Sequence, residues 1–168
     1  MTTAALTATC PAPAELERLL HRLRELPGQA REAVRGLTDA QLDTSLRPGG
    51  WTSRQVLHHV AEAHVVAFFR MKLLLTEAHP TVKPWDQDLW CAMEDEQQGA
   101  LEPSLRMLEG VHGRIVELLS RVRLEQWGRT AFHPQYGVLT LRDFLVTYSG
   151  HGAHHVEQVV ALRRAKGW

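Results

Sequence analysis

Apolar residues recur at helical spacing along most of this chain, and this periodicity limits the possible fold more than any other feature. Between about Ala14 and Arg35, leucines follow one another at intervals of three or four residues, which predicts an amphipathic helix. Pro27-Gly28 predicts a break inside that helix. No segment shows a convincing strand-like alternation, so residues 130–140 are expected to form a turn or an exposed loop.

Two capping boxes mark the starts of the longest predicted helices. Residues 52–55, Thr-Ser-Arg-Gln, place a threonine at the N-cap and a glutamine three positions later, and the helix is expected to end near Ala78. Residues 140–143, Thr-Leu-Arg-Asp, open the last helix, which is expected to reach about Lys166.

The remaining helical segments are less regular. Residues 38–41 predict a short turn of helix, and Asp86 is expected to start a longer stretch that weakens near Gly99 and reaches about Trp127. Four long helices with connections of mixed length predict an all-α fold, an antiparallel four-helix bundle.

The length and the charge of the chain limit how many domains it can form and which classes of partner it can bind. A chain of 168 residues suits one domain, expected over 1–168 with residues 1–13 flexible. Because 19 Lys and Arg balance 19 Asp and Glu, no nucleic-acid partner is expected. No apolar run suits a membrane helix and no signal peptide is recognisable, which predicts a cytoplasmic protein without membrane association. Cys10 and Cys91 are interpreted as incidental thiols.

Ten histidines are an unusual share for this length, and three of them lie close together in the last predicted helix. At about 100° per residue, His155 falls within the apolar face and His151 at its edge one turn earlier, whereas His154 points outward. Imidazoles at positions i and i+4 can present two nitrogens to one metal ion from successive turns.

The helix that follows residue 52 offers a third inward-facing imidazole. His59 borders its apolar stripe, His58 lies on the opposite side, and His64 stays ambiguous. Taken singly, an inward histidine is more often a core residue hydrogen-bonded to a carbonyl or carboxylate. Burying three imidazoles with few acceptors nearby is costly, however, which favours a shared metal ion. Three protein ligands leave one coordination position open, as in catalytic metal sites.

A set of short motifs extends from about residue 15 to the end of the chain. They include Gly-Gly-Trp-Thr-Ser-Arg-Gln-Val-Leu-His-His-Val-Ala at 49–61, Lys-Pro-Trp-Asp at 83–86 and Tyr-Ser-Gly-His-Gly-Ala-His-His at 148–155. These residues resemble the signature of the DinB/YfiT-like superfamily, and the similarity is closest to the YfiT-type metal-dependent hydrolases.

This resemblance implies a four-helix bundle, frequently a homodimer, that holds one divalent metal ion, zinc or nickel, through three histidines. Carried over residue by residue, the family's ligands fall on His59, His151 and His155, the same three that helical geometry selects. One departure is visible, because YfiT-type members tend to have a further histidine shortly after the last ligand, where this chain has Val156-Glu157-Gln158.

A metal ion held by three neutral imidazoles can activate water, which predicts a metal-dependent hydrolase acting on a small-molecule substrate. Two alternatives stay open. One is a thiol S-transferase that uses a metal-bound low-molecular-weight thiol of the bacillithiol type, and the other is a non-catalytic metal-binding stress protein. No carboxylate is placed as a general base, since Glu62 and Glu157 are both expected to face outward.

Structural roles are expected for other polar and aromatic residues near the predicted site. Arg70 shares the inward edge of the His59 helix and is expected to pair with an acid of another helix rather than to anchor an anionic substrate group. Core packing is favoured over a place at the mouth of the site for three tryptophans, Trp51, Trp85 and Trp90.

The remaining residues singled out by the sequence are expected at the surface or in the core. His133 is interpreted as a solvated loop residue, with a lid role as the alternative. Surface or structural positions are expected for His21, His79 and His112. Outward-facing Val65 and Phe69 are candidate contacts of a homodimer.

Overall fold

The computed structural model describes residues 10–168, so the expectation for residues 1–9 lies outside the described part of the chain. Within that part no helix is both long enough and apolar enough to cross a membrane. The described residues form seven α-helices: α1 Pro13–Val34, α2 Asp39–Leu42, α3 Ser53–Thr76, α4 Gln87–Cys91, α5 Glu94–Gln98, α6 Leu101–Ser120 and α7 Leu141–Lys166.

The four long helices, α1, α3, α6 and α7, form a bundle, which confirms the predicted fold class. Helix α1 packs against α6 and α7, and α3 packs against the same two helices. The first two long helices, α1 and α3, therefore lie diagonally opposite, as do the last two, α6 and α7. Apolar side chains of all four helices fill two core clusters. This arrangement makes α3 and α7, the two helices with the predicted site residues, direct neighbours.

The predicted break at Pro27-Gly28 is wrong, because α1 continues unbroken through Pro27. Proline has no backbone N–H, so the carbonyl of Leu23, four residues earlier, loses its helical partner. The buried His112 of α6 donates from Nδ1 to that oxygen at 2.6 Å. A side chain of a neighbouring helix thus supplies the hydrogen bond that the proline removes.

The ends of the long helices differ in how well the sequence predicts them. Both capping boxes form, with the side chains of Thr52 and Thr140 accepting from the backbone three residues later. Helix α7 ends at Lys166 as predicted, and Gly167 caps it with a φ of 70°. Helix α6 ends at Ser120, seven residues before the predicted end at Trp127, and a 3-10 turn covers Leu124–Gln126.

Residues 130–140 form a β-hairpin, which corrects the prediction of a turn or exposed loop. Strand β1, Thr130–His133, pairs antiparallel with β2, Gly137–Thr140. Gly137 has a φ of 75° and closes a three-residue turn, a conformation that favours glycine. The strands have only four residues each, too few for a recognisable alternation. Backbone hydrogen bonds from β1 to Pro80 and Val82 fasten the hairpin to the segment after α3.

Two glycines flank His151 in α7, and they have different environments. A Cβ added at the buried Gly152 would collide with the Cδ2 atom of Leu26 in α1. A Cβ added at Gly150 would meet nothing within 4 Å. Gly152 therefore permits the close approach of α1 and α7, whereas Gly150 does not contribute to it.

These environments predict opposite effects on stability. Gly150→Ala is expected to raise the free energy of unfolding by about 0.5–1 kcal/mol, because alanine loses less conformational entropy in a helix. Gly152→Ala is expected to lower it by about 1–3 kcal/mol through overpacking against Leu26. Chemical denaturation followed by circular dichroism measures both values. An equal effect of the two substitutions would contradict the close contact.

Candidate metal centre

Three imidazoles from two neighbouring helices converge at one point of the bundle. His59 of α3 and His151 and His155 of α7 each offer a nitrogen, and these ligand atoms all lie within 4.8 Å of one another. His59 is buried, and the other two are half-buried. The structure thus brings together the three residues singled out by the sequence, in an arrangement that could hold a metal ion.

A chain of hydrogen bonds fixes the tautomer of His151. Because the Leu23 carbonyl can only accept, His112 donates from Nδ1, and its Nε2 accepts from Nδ1 of His64 at 2.7 Å. Nε2 of His64 then accepts from Nδ1 of His151 at 3.3 Å. Nε2 of His151 is therefore unprotonated and lies beside Nε2 of His59 in the three-histidine cluster. Such outer hydrogen bonds orient metal-ligating histidines.

Sequence reasoning missed this network, since it left His64 ambiguous and gave His112 no specific partner. His64 is completely buried and its ring stacks on that of His112. The signal available in the sequence was Pro27, because a proline inside a helix leaves a carbonyl that a buried donor must satisfy.

The separation of the cluster nitrogens suits a metal ion. Nε2 of His59 lies 3.3 Å from Nε2 of His151. Metal–nitrogen bonds of about 2.0–2.1 Å in a tetrahedral site place two ligand nitrogens about 3.3–3.4 Å apart. Nδ1 of His59 is buried without a hydrogen-bond partner among the described residues. Its ring is instead flanked by the side chains of Trp51 and Trp85, with centroids 4.8 and 5.6 Å away.

His155 has a positioning partner on its own helix. Its Nδ1 donates to Oε1 of Gln158 at 3.0 Å, which leaves Nε2 free. The amide of Gln158 also donates to Nε2 of the exposed His154 at 3.2 Å. Gln158 therefore orients one candidate ligand.

Burial keeps the three candidate ligands neutral. Desolvation, followed by the nearby imidazoles, lowers the pKa of His59 to about 3. The same causes lower the pKa of His151 to about 4, and burial also lowers the pKa of His155. Neutral imidazoles keep the lone pairs that a metal ion needs.

The cluster opens into a cavity of about 820 Å³, with His59 and His151 in its wall. Trp85 also lines the cavity, and Trp90 packs against Trp85 at a centroid distance of 4.5 Å. Neither these two tryptophans nor Trp51 is fully buried. Trp51 packs against a core cluster as expected, and it also contacts His59. The expectation of core packing is wrong for Trp85, which lines the cavity, and for the exposed Trp90.

Three polar residues that were expected to face solvent are wholly or partly buried. His58 turns away from the cluster toward α6, where Oγ of Ser104 lies 2.7 Å from Nδ1. Glu62 is half-buried. Burial of Glu96, followed by the nearby carboxylate of Glu62, raises the pKa of Glu96 to about 8. His133 is buried in the cavity wall because the hairpin holds it there. The surface expectations for His21, His79, His154 and Glu157 are confirmed.

The ion pair expected for Arg70 is absent among residues 10–168. Arg70 instead lines the cavity and donates from Nη2 to the carbonyl of Lys83. The carboxylates of the cavity wall, Asp86 and Asp143, accept hydrogen bonds at the starts of α4 and α7. The structure therefore places no free carboxylate of the cavity wall as a general base.

Comparison with known proteins defines the class of this chain. The model of the DinB superfamily matches residues 22–159. The chain therefore belongs to the DinB superfamily, as its motifs predict.

Individual relatives are similar over nearly their whole length. "Putative metal-dependent hydrolase YfiT" of Bacillus subtilis is 37% identical over 153 residues, covering 90% of this chain and 86% of the relative. "Putative metal-dependent hydrolase" of Bacillus cereus is also 37% identical, covering 91% and 88%.

Two solved structures share the fold. YfiT from Bacillus subtilis, described as a probable metal-dependent hydrolase with an unusual four-helix bundle topology, matches with a TM-score of 0.91 and 36% identity over 95% of this chain and 91% of that chain. The mycothiol-dependent maleylpyruvate isomerase matches with a TM-score of 0.69 and 18% identity over 95% of this chain and 63% of that chain, which shows the fold alone.

The hydrogen-bond chain predicts the tautomers of the buried histidines in the metal-free protein. Near neutral pH, His112, His64 and His151 are expected to carry the proton on Nδ1. His58 is an internal control with the opposite tautomer, because its Nε2 faces the carbonyl of Gly99. Long-range ¹H–¹⁵N correlation spectra distinguish the two forms. A proton on Nε2 of His151 would show that the chain of bonds does not reach the cluster.

Proposed function

We propose that this protein is a metal-dependent hydrolase in which His59, His151 and His155 hold one divalent cation. The observation that supports this most directly is the convergence of three neutral imidazole nitrogens within 4.8 Å at the wall of a cavity. The names of the relatives point to the same activity. Zinc or nickel is the proposed metal, because both accept imidazole ligands.

The residues of the chain divide the work of this site. His64 and Gln158 hydrogen-bond Nδ1 of His151 and His155, which leaves Nε2 of both rings for a metal ion. When bound there, a divalent cation supplies the Lewis acidity that makes water a nucleophile near neutral pH. Trp51 and Trp85 cover His59 and limit the approach of bulk water. The cavity beyond them has room for a small-molecule substrate.

The metal site predicts a specific pattern of metal content. Single substitutions His59→Ala, His151→Ala and His155→Ala are each expected to abolish stoichiometric zinc or nickel binding, because two imidazoles hold either ion weakly. His154→Ala is the matched control, since His154 is exposed on the same helix. Elemental analysis and chelator competition measure the bound metal, and circular dichroism checks the fold. Unchanged metal content in the first three variants would refute the ligand assignment.

The same variants test the chemistry. The wild-type protein loaded with zinc or nickel is expected to hydrolyse members of an ester and amide panel, and the ligand variants are expected to be inactive. Conjugation of electrophiles with a low-molecular-weight thiol is assayed in parallel. Metal-dependent conjugation without hydrolysis would show that the protein is a thiol S-transferase rather than a hydrolase. Bound metal without either activity would favour a metal-binding stress protein.

We further propose a cytoplasmic homodimer of single-domain chains. Val65 and Phe69 of α3 lie on its outer face with 38% and 60% exposure, which supports them as dimer contacts. Both cysteines are free thiols, Cys91 being buried, in keeping with a reducing compartment.

The dimer predicts a mass of two chains in solution. Phe69→Glu is expected to give the mass of one chain, because a carboxylate would be desolvated in the apolar contact. Val138→Glu, at an exposed position of β2, is the control. Light scattering measures both, and a monomeric wild-type protein would exclude the dimer.

A further inference from the structure

Arg70 is a buried cation that the described part of the chain does not neutralise. The residue is 7% exposed, and its hydrogen bond in the structure runs from Nη2 to the Lys83 carbonyl at 2.5 Å. A guanidinium carries five N–H donors, so donors remain for a further acceptor. Burying a charge without a partner is costly, which makes such a residue unusual in a core.

The second buried arginine of the same helix shows how this fold satisfies a structural guanidinium. Arg54 is 4% exposed and donates to Asp43 and Asp39, both at 2.7 Å, and to the Gly99 carbonyl at 2.8 Å. All three of its nitrogens therefore have acceptors within the protein. Arg70, by contrast, has no carboxylate partner among residues 10–168, although the Tyr148 hydroxyl lies near it.

The position of Arg70 relates it to the metal centre. Arg70 follows His59 by 11 residues on the same face of α3, about 16 Å along the helix axis. Side chains lean toward the N-terminus of a helix, so the guanidinium reaches back toward His59. Ala63 lies between them in the cavity wall, and its small side chain leaves space.

Polar groups with hydrogen-bonding capacity surround the guanidinium. Burial raises the pKa of Tyr148, and the charge of Arg70, together with hydrogen bonding from it, opposes this rise. Burial followed by the charge of Arg70 lowers the pKa of His133. Nδ1 of His133 accepts from the Gln135 backbone at 3.2 Å, so neutral His133 carries its proton on Nε2. Arg70, Tyr148 and His133 are thus three donors in one part of the cavity.

The charge balance of the cavity favours a monoanion. Asp86 and Asp143 add negative charge to its wall, and both are already engaged at helix starts. A dianion such as a phosphate monoester would be repelled by these carboxylates. A carboxylate carries one charge and matches the planar guanidinium with two parallel hydrogen bonds.

We propose that Arg70 is the binding subsite for a carboxylate group of the substrate. The inference rests on the proposed hydrolase function for the other end of the molecule, whose scissile bond would lie at His59, His151 and His155. The substrate class is then a carboxylate whose ester or amide bond is several bonds removed from the charged group.

The test is a binding measurement that does not depend on turnover. Phenyl-substituted straight-chain carboxylates of increasing length, the neutral amides of the same lengths and phenyl phosphate are titrated into the full chain. Both the metal-loaded and the chelator-treated protein are used, so that binding to a metal ion is separated from binding to Arg70. Intrinsic tryptophan fluorescence, to which Trp85 in the cavity wall contributes, and ligand-detected NMR report the binding.

Carboxylates are expected to bind about 10- to 100-fold more tightly than the matching amides in both forms of the protein. Arg70→Gln is expected to remove this preference, and Arg70→Lys to restore part of it, because lysine keeps the charge without the planar fork. Arg114→Gln, at an exposed position of α6, is the control and should keep the preference.

The other outcomes overturn either the inference or the proposed function. The proposed subsite is refuted if the wild-type protein shows no preference for carboxylates over amides, or if Arg70→Gln keeps the preference. Neither result contradicts the proposed metal site. If phenyl phosphate binds more tightly than the carboxylates, the group that Arg70 binds is a phosphate and the carboxylate proposal is wrong. If Arg70→Gln does not fold, magnetisation transfer from the bound carboxylate to Tyr148 in the wild-type protein decides, and its absence counts against the subsite. Conversely, carboxylate binding that persists in a protein without metal affinity would keep the subsite and reject the hydrolase.

Discussion

The carbonyl oxygen of Leu23 sets the direction of the hydrogen bonds that reach the three-histidine cluster. It can only accept, so the ring of His112 must donate to it, and His64 and His151 follow in the same sense. The last ring of the series therefore offers an unprotonated nitrogen to its neighbours on α3 and α7. A neutral network with no acidic member can orient a metal ligand in this way because each ring donates once and accepts once.

Bundle topology explains why this series of rings can exist. Helices α3 and α7 share an interface because α1 and α6 occupy the other two corners. The path from Leu23 to His151 passes through one side chain of α6 and one of α3, so all four long helices contribute. Packing of the same helices against one another thus positions both the cluster and the groups that orient it.

The sequence was a reliable guide wherever a local pattern had one physical meaning. Capping boxes at Thr52 and Thr140 fixed two helix starts, and helical spacing put His59, His151 and His155 on inward faces. Whether the helix continues through Pro27 depended on a donor distant in sequence, His112, and no local pattern contains that information. The surroundings of Arg70 and His133 depended on a hairpin and a connector that bring residues of three segments together. Such partners become visible only when the chain is folded.

The interaction of Pro27 with His112 also bears on how this chain can evolve. If Pro27 were replaced, the backbone N–H at position 27 would be a second possible donor to the Leu23 carbonyl. If His112 were replaced, that buried oxygen would have no donor. Each residue is useful because the other is present, although neither belongs to the three-histidine cluster. The residues that can be tolerated at position 27 therefore depend on the residue at position 112, and the reverse also holds.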